Sequence, residues 1–81
     1  SPVTLRMRLL HRYMYWYKYL YPKNKGSIIP FIIGMIANFI LIYKQERASW
    51  VINEHLKAWA FMFSAKNPNW EKINAYIFAQ N

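Results

Sequence analysis

An uncharged run of 18 residues between Lys25 and Lys44 constrains the fold of this 81-residue chain more than any other feature. From Ile28 onwards, Asn38 is its one polar side chain. As a helix the run is about 27 Å long, and about 17–25 residues cross a hydrocarbon core of roughly 30 Å. It lacks the polar stripe of a half-buried soluble helix. The run therefore predicts a transmembrane helix over residues 26–44, with a buried core helix or strand as the alternative.

The residues at both ends of the run suit a membrane interface. Tyr21 and Tyr43 bracket it as interfacial aromatics, and Lys25 and Lys44 can extend their ammonium groups towards the headgroups. Charged residues, rather than a small-residue cleavage site, follow the run, so a secretory signal peptide is not expected.

The segment before the run, residues 1–25, carries six cations and no acid. On a helix its polar and basic residues fall on one side, and its apolar residues fall mostly on another. Tyrosines at odd positions from Tyr13 to Tyr21 also fit a strand, but a lone strand would leave its edges unpaired. The segment is therefore predicted to be an amphipathic, basic and aromatic helix on a membrane surface, ended by Pro22.

The segment after the run is predicted to be helical as well. Residues 45–66 contain no proline and no glycine, so the spanning helix is expected to continue beyond the membrane. Asn67 followed by Pro68 predicts a capped last helix within residues 67–81. One apolar face of the continuation is expected to pack on another element or subunit: Val51, Ile52, Leu56, Trp59, Met62 and Phe63.

These segments define an all-α fold class. It comprises a single transmembrane helix, an N-terminal amphipathic basic and aromatic helix, and a C-terminal helical extension. A core large enough to surround the apolar run is not expected from so short a chain.

No group of residues predicts catalysis, a metal or a cofactor. The chain has no cysteine, and its two histidines, His11 and His55, lie on opposite sides of the run. The three glutamates form no acid/base pair. A small-molecule substrate is therefore not expected. Nucleic acid is not expected either, because basic and aromatic residues beside a span are better explained by a membrane interface.

Two groups of residues are predicted to make contacts in the membrane, one with another helix and one with lipid headgroups. Gly34 and Asn38, one turn apart, predict a face where another helix approaches closely. Basic residues and tyrosines before the span predict a site for anionic headgroups, with cardiolipin as the suited lipid. The alternative partners for these cations are acidic residues of neighbouring subunits. The predicted lipid-binding residues are Arg12, Lys18, Lys23, Lys25, Tyr13, Tyr17 and Tyr21.

The junction between the basic segment and the span has a distinctive order of residues: Arg12-Tyr13-Met14-Tyr15-Trp16-Tyr17-Lys18-Tyr19, then Lys23-Asn24-Lys25-Gly26-Ser27-Ile28, and after the apolar run Tyr43-Lys44 and Glu46-Arg47. In these residues the chain resembles subunit f of the mitochondrial F-type ATP synthase. The resemblance covers about residues 12–47. The chain departs from the family pattern from Ala48 onwards, because the animal members end soon after the span, whereas this chain has a helical extension.

The resemblance implies a non-catalytic structural subunit of the inner mitochondrial membrane. In that family the subunit supports the proton-conducting subunit, lies near the dimer interface and has its N-terminus in the matrix. Six Lys and Arg residues precede the span against three in the 20 residues after it, which favours the same orientation. The alternatives are an accessory single-span subunit of a respiratory-chain complex and a membrane-active regulatory peptide.

Overall fold

The computed structural model describes residues 1–79, which contain helices and no strand. A π-helical turn, Trp16–Leu20, continues the first helix, and a 3-10 turn, Lys25–Ser27, precedes the second. The all-α prediction is confirmed. Lys25–Glu46 is the one helical stretch of the described part that is long and apolar enough to cross a membrane. The four α-helices are α1 (Pro2–Tyr15), α2 (Ile28–Glu46), α3 (Ser49–Ser64) and α4 (Trp70–Phe78).

Helix α1 has the two faces that its sequence predicts. The Ser1 hydroxyl accepts a hydrogen bond from the Thr4 amide at 3.3 Å and caps its first turn. Leu9 and Tyr13 are buried, whereas Arg8 is exposed. The apolar face does not lie open for a membrane, because it packs on α3 and α4.

The helices pack as a bundle in which α2 runs along one side. The start of α1 and the end of α2 share a cavity lined by Thr4 and Gln45, among others. At the opposite end, Trp16 stacks on Phe31 of α2 with ring centroids 4.4 Å apart. Helices α1 and α2 are therefore antiparallel. The side chains most completely buried in the core are Leu10, Ile73, Ile77, His55 and Val51.

The predicted continuation of the spanning helix is wrong, since α2 ends at Glu46. Arg47 is left-handed (φ 49°, ψ 42°) and Ala48 is extended, so the chain reverses before α3. Helix α3 then packs back on α2, where the ring of Phe39 lies 4.9 Å from that of His55. Packing of α3 on both α1 and α2 offsets the cost of a left-handed arginine.

The face of α3 that packs inwards also differs from the predicted one. Ile52, Leu56 and Phe63 are exposed. Helix α3 buries Val51, Glu54, His55, Ala58 and Met62 instead. The buried face is rotated around the helix axis relative to the predicted one, because α1 packs on the side of α3 that carries Glu54.

The last helix begins two residues later than Pro68, the predicted start. Asn69, rather than Asn67, is its N-cap and accepts a hydrogen bond from the Lys72 amide at 2.8 Å. Asn67 is left-handed at φ 51°, which its short polar side chain tolerates. The end of the predicted 67–81 segment, residues 80–81, lies outside the described residues.

Candidate functional site

Helix α2 carries an exposed apolar stripe that no other helix of the described chain covers. Isoleucines at positions 29, 33, 36 and 40 recur at helical spacing and so share one face. These four side chains and Leu41 are 47–62% exposed. Only Met35 and Ile42 of α2 are buried. An apolar stripe of this length on a small protein marks a contact with lipid or with another protein.

A cluster of aromatic rings fixes the junction between α1 and α2. Trp16 lies at its centre, stacked on Phe31 and 5.0 Å from the ring of Tyr21. The Trp16 indole Nε1–H donates a hydrogen bond to the Ser27 Oγ at 2.9 Å. This bond uses the Ser27 hydroxyl, so the side chain of Ser27 does not cap α2. The cluster holds the aromatic segment beside the first turn of α2.

The predicted basic residues lie around this junction and are exposed. Lys23 and Lys25 lie in the connection between the helices, and Lys18 lies in the π-helical turn. The Lys25 Nζ lies 4.5 Å from the centroid of the Tyr21 ring, a cation–π contact. Three of the four predicted cations are therefore near one end of α2, where anionic groups have access to them.

The three predicted tyrosines do not share one environment. Tyr17 and Tyr21 are half-buried, and their rings stack at 6.3 Å. Tyr13 is buried, and its hydroxyl donates to the Met62 carbonyl at 3.3 Å. Burial raises the pKa of Tyr13, with a further contribution from Tyr17. In this fold Tyr13 is therefore a core residue that joins α1 to α3 rather than a lipid contact.

Arg12, the fourth predicted cation, lies away from the other three. It sits against α2 at Gly34, where an added Cβ would collide with its guanidinium group. Gly34 thus provides a close approach, but the group that approaches belongs to α1 of the same chain. Asn38 is half-buried and makes no side-chain hydrogen bond within residues 1–79.

A buried ion pair joins α1, α3 and α4, and it is absent from the sequence-based predictions. The Arg6 Nε and Nη2 atoms donate to the two Glu54 carboxylate oxygens at 2.8 and 3.1 Å. The Arg6 Nη1 donates to the Ile77 carbonyl near the end of α4 at 3.0 Å. The hydrogen bond to Glu54 raises the pKa of Arg6 above its ordinary value, although burial opposes it. The available signal was a charged residue at helical spacing from apolar ones: Arg6 lies three residues before Leu9, and Glu54 lies three residues after Val51.

His55 is a further buried titratable group. Its Nδ1 lies 2.8 Å from the Val51 carbonyl, and its Nε2 is buried without a hydrogen-bond partner. Within residues 1–79, no group of three or more His, Cys, Asp or Glu side chains is placed to hold a metal ion.

The chain was compared with protein-family models, curated proteins and solved structures. No protein-family model, no curated protein and no solved structure matches the chain.

Proposed function

We propose that this chain is a non-catalytic, single-span structural subunit of the mitochondrial ATP synthase. The observation that carries the membrane part of the proposal is the apolar stripe on α2. The 22 residues of Lys25–Glu46 give a helix of about 33 Å, which matches a hydrocarbon core of roughly 30 Å. Lipid and neighbouring subunits would cover the isoleucines that the rest of this chain leaves exposed.

The choice of host complex is supported by the resemblance over residues 12–47 alone. In that role the chain supports the proton-conducting subunit and the dimer interface of the inner-membrane complex. The excess of cations before the span supports an orientation with Ser1 in the matrix and the chain after Arg47 in the intermembrane space. Other membrane subunits of the ATP synthase are the protein partners.

Anionic lipid is the second partner of the proposal. Lys18, Lys23 and Lys25 are exposed beside the half-buried rings of Tyr17 and Tyr21. Each cation near an anionic surface contributes about 1 kcal/mol, and the tyrosines add an apolar body with a polar tip. This arrangement suits cardiolipin on the matrix side of the membrane.

Native gel electrophoresis of solubilised mitochondria, followed by mass spectrometry, tests the choice of complex. We expect a tagged chain to migrate with ATP synthase subunits. Migration with a respiratory-chain complex supports the accessory-subunit alternative, and migration alone supports the membrane-active peptide. Either result would overturn the assignment to the ATP synthase.

A matched pair of variants tests the role of the stripe in the same assay. Ile33→Lys places a charge near the middle of the apolar run, which costs about 2.5–3.5 kcal/mol on insertion scales. Leu56→Lys makes the same change at an exposed position of α3. We expect the first variant to be depleted from the complex and the second to be retained. Equal incorporation of both would show that α2 does not face lipid.

Two further measurements test the orientation and the lipid site. A C-terminal tag is expected to be digested by protease added to mitoplasts, and its protection would contradict the orientation. Charge reversal at Lys23 and Lys25 is expected to remove cardiolipin from an intact purified complex. Lost assembly with unchanged cardiolipin would instead show that these lysines pair with acidic residues of a neighbouring subunit.

A further inference from the structure

The contact between Arg12 and Gly34 places a charge level with the middle of the apolar run. Gly34 lies nine residues after Lys25 and ten before Lys44. These separations correspond to about 14–15 Å of helix on each side. The guanidinium group of Arg12, which sits against Gly34, is therefore far from either end of the apolar run.

The Arg12 guanidinium group is placed where it can be hydrated in water but would be unfavourable at the centre of a bilayer. Arg12 is exposed. Among residues 1–79 the one ion pair is that of Arg6 with Glu54, so no described acid neutralises Arg12. Charged side chains at the bilayer centre face the protein interior or a water-filled cavity, and they reach the headgroups only from near a helix end.

The connections between the helices conflict with a spanning α2 in the same way. Helix α1 joins α2 through Lys25, whereas α3 joins it two residues after Glu46. If α2 spans a bilayer, these two ends lie on opposite sides of it. Helices α1 and α3 then cannot remain in contact, and Arg6 cannot remain bonded to Glu54.

We infer that the closed bundle is the form of this chain outside the membrane, and that it opens when α2 inserts. This inference rests on the proposed membrane-spanning function. On opening, the Arg6–Glu54 pair separates, and each side chain enters water on its own side of the bilayer. Lipid acyl chains take the place of α1 and α3 on the inner face of α2. The residues of that face are Phe31, Met35, Phe39 and Ile42.

The composition of α2 and of its flanking connections fits this exchange. Both faces of α2 are apolar, so replacing α1 and α3 by lipid leaves Asn38 as the one polar side chain to be satisfied. The turn that contains Pro22 and Gly26 separates α1 from α2, and Arg47 with Ala48 separates α2 from α3. Each connection can change its backbone angles without breaking a helix.

A cleavable crosslink tests the inference directly, because the chain contains no cysteine of its own. Thr4 and Gln45 are exposed, line the same cavity and lie on α1 and α2. A Thr4→Cys/Gln45→Cys variant is joined by a bis-maleimide that contains a disulfide, and a reductant then releases it. The readout is the protein fraction that stays with vesicles of phosphatidylcholine and cardiolipin after a urea wash.

The inference predicts that the joined form is retained at least about tenfold less than the released form, because only the open state is competent to insert. Equal retention of both forms would overturn opening while leaving membrane binding in place. Retention of neither would overturn the spanning role of α2 and the inference with it.

A second pair of variants tests the ion pair as the contact that holds the bundle closed. Glu54→Gln weakens the bond to Arg6 and is expected to make insertion at least about threefold faster, since it raises the open fraction. Glu71→Gln removes the same charge from an exposed position on α4 and should leave the rate unchanged. Equal rates for these two variants would refute this role of the pair.

Discussion

Replacing Arg6 by methionine should destabilise the closed bundle more than replacing any exposed cation of α1. Arg6 makes three hydrogen bonds of 2.8–3.1 Å, two to Glu54 and one to the Ile77 carbonyl. The side chains of Arg6 and Glu54 are only 9% and 8% exposed. Arg6→Met therefore leaves a buried carboxylate and a buried carbonyl without their donor.

The expected loss follows from the burial of the group that remains. Removing one partner of a buried ion pair costs about 3–5 kcal/mol, because the other charge stays buried and unpaired. For a domain of this size, 1 kcal/mol corresponds to about 4–8 °C in Tm. Arg6→Met should therefore lower Tm by about 12 °C or more. The double variant Arg6→Met/Glu54→Leu should recover most of this loss, since it removes both charges.

Urea denaturation of the purified chain, followed by circular dichroism, measures the changes in the free energy of unfolding. Thermal denaturation with the same signal measures the changes in Tm. Arg8→Met is the matched control, because Arg8 lies on the same helix and is exposed; its effect should stay within about 0.5 kcal/mol. If Arg6→Met and Arg8→Met change the free energy of unfolding equally, the pair is not a closed contact in solution. If the double variant is as unstable as Arg6→Met, the unpaired carboxylate is not the cause of the loss.

Two further variants address the tyrosine in the core and the glycine of α2. The free energy of unfolding should fall as the pH rises past about 10, because the folded state, in which the pKa of Tyr13 is raised, retains a proton that the unfolded state loses. For Tyr13→Phe, the free energy of unfolding should fall less steeply with pH, as measured by urea titrations at several pH values. The same slope in the variant and the wild type would contradict this expectation. Gly34→Leu should change the stability of the closed bundle by less than about 1 kcal/mol, because the gain in helix propensity offsets displacement of the flexible end of Arg12. On native gels it should reduce assembly more than Ile33→Leu does, and equal effects would show that this face meets lipid.

Local features of the fold could be predicted from the sequence because they depend on neighbouring residues. The apolar run, the aromatic segment ended by Pro22 and the two faces of α1 all follow from composition and helical spacing. The reversal at Arg47 has no such signal, since no glycine or proline marks it and packing of α3 on α1 and α2 stabilises it. Pro68 favours Asn67 as the N-cap of the last helix, whereas in the fold Pro68 is buried ahead of the helix and Asn69 is the cap.

The candidate site was predictable only in part for the same reason. The exposed lysines around Tyr21 follow from the sequence alone. The bond between Arg6 and Glu54 joins residues 48 positions apart, and helical periodicity carries no information at that separation. Tyr13 belongs to the same aromatic pattern as Tyr17, yet it is buried because α3 returns to meet α1.

The docking of α1 on α3 and α4 has a consequence for the order of events during synthesis. α1 emerges from the ribosome before α2, whereas α3 and α4, the partners that cover its apolar face, are made after α2. Glu46 and Phe78 are 32 residues apart, which takes about 2–6 s to translate at 5–20 residues per second. A helix forms within microseconds, so α2 is complete while α3 and α4 are still being made. A receptor for hydrophobic segments therefore meets α2 before the bundle exists to compete for it.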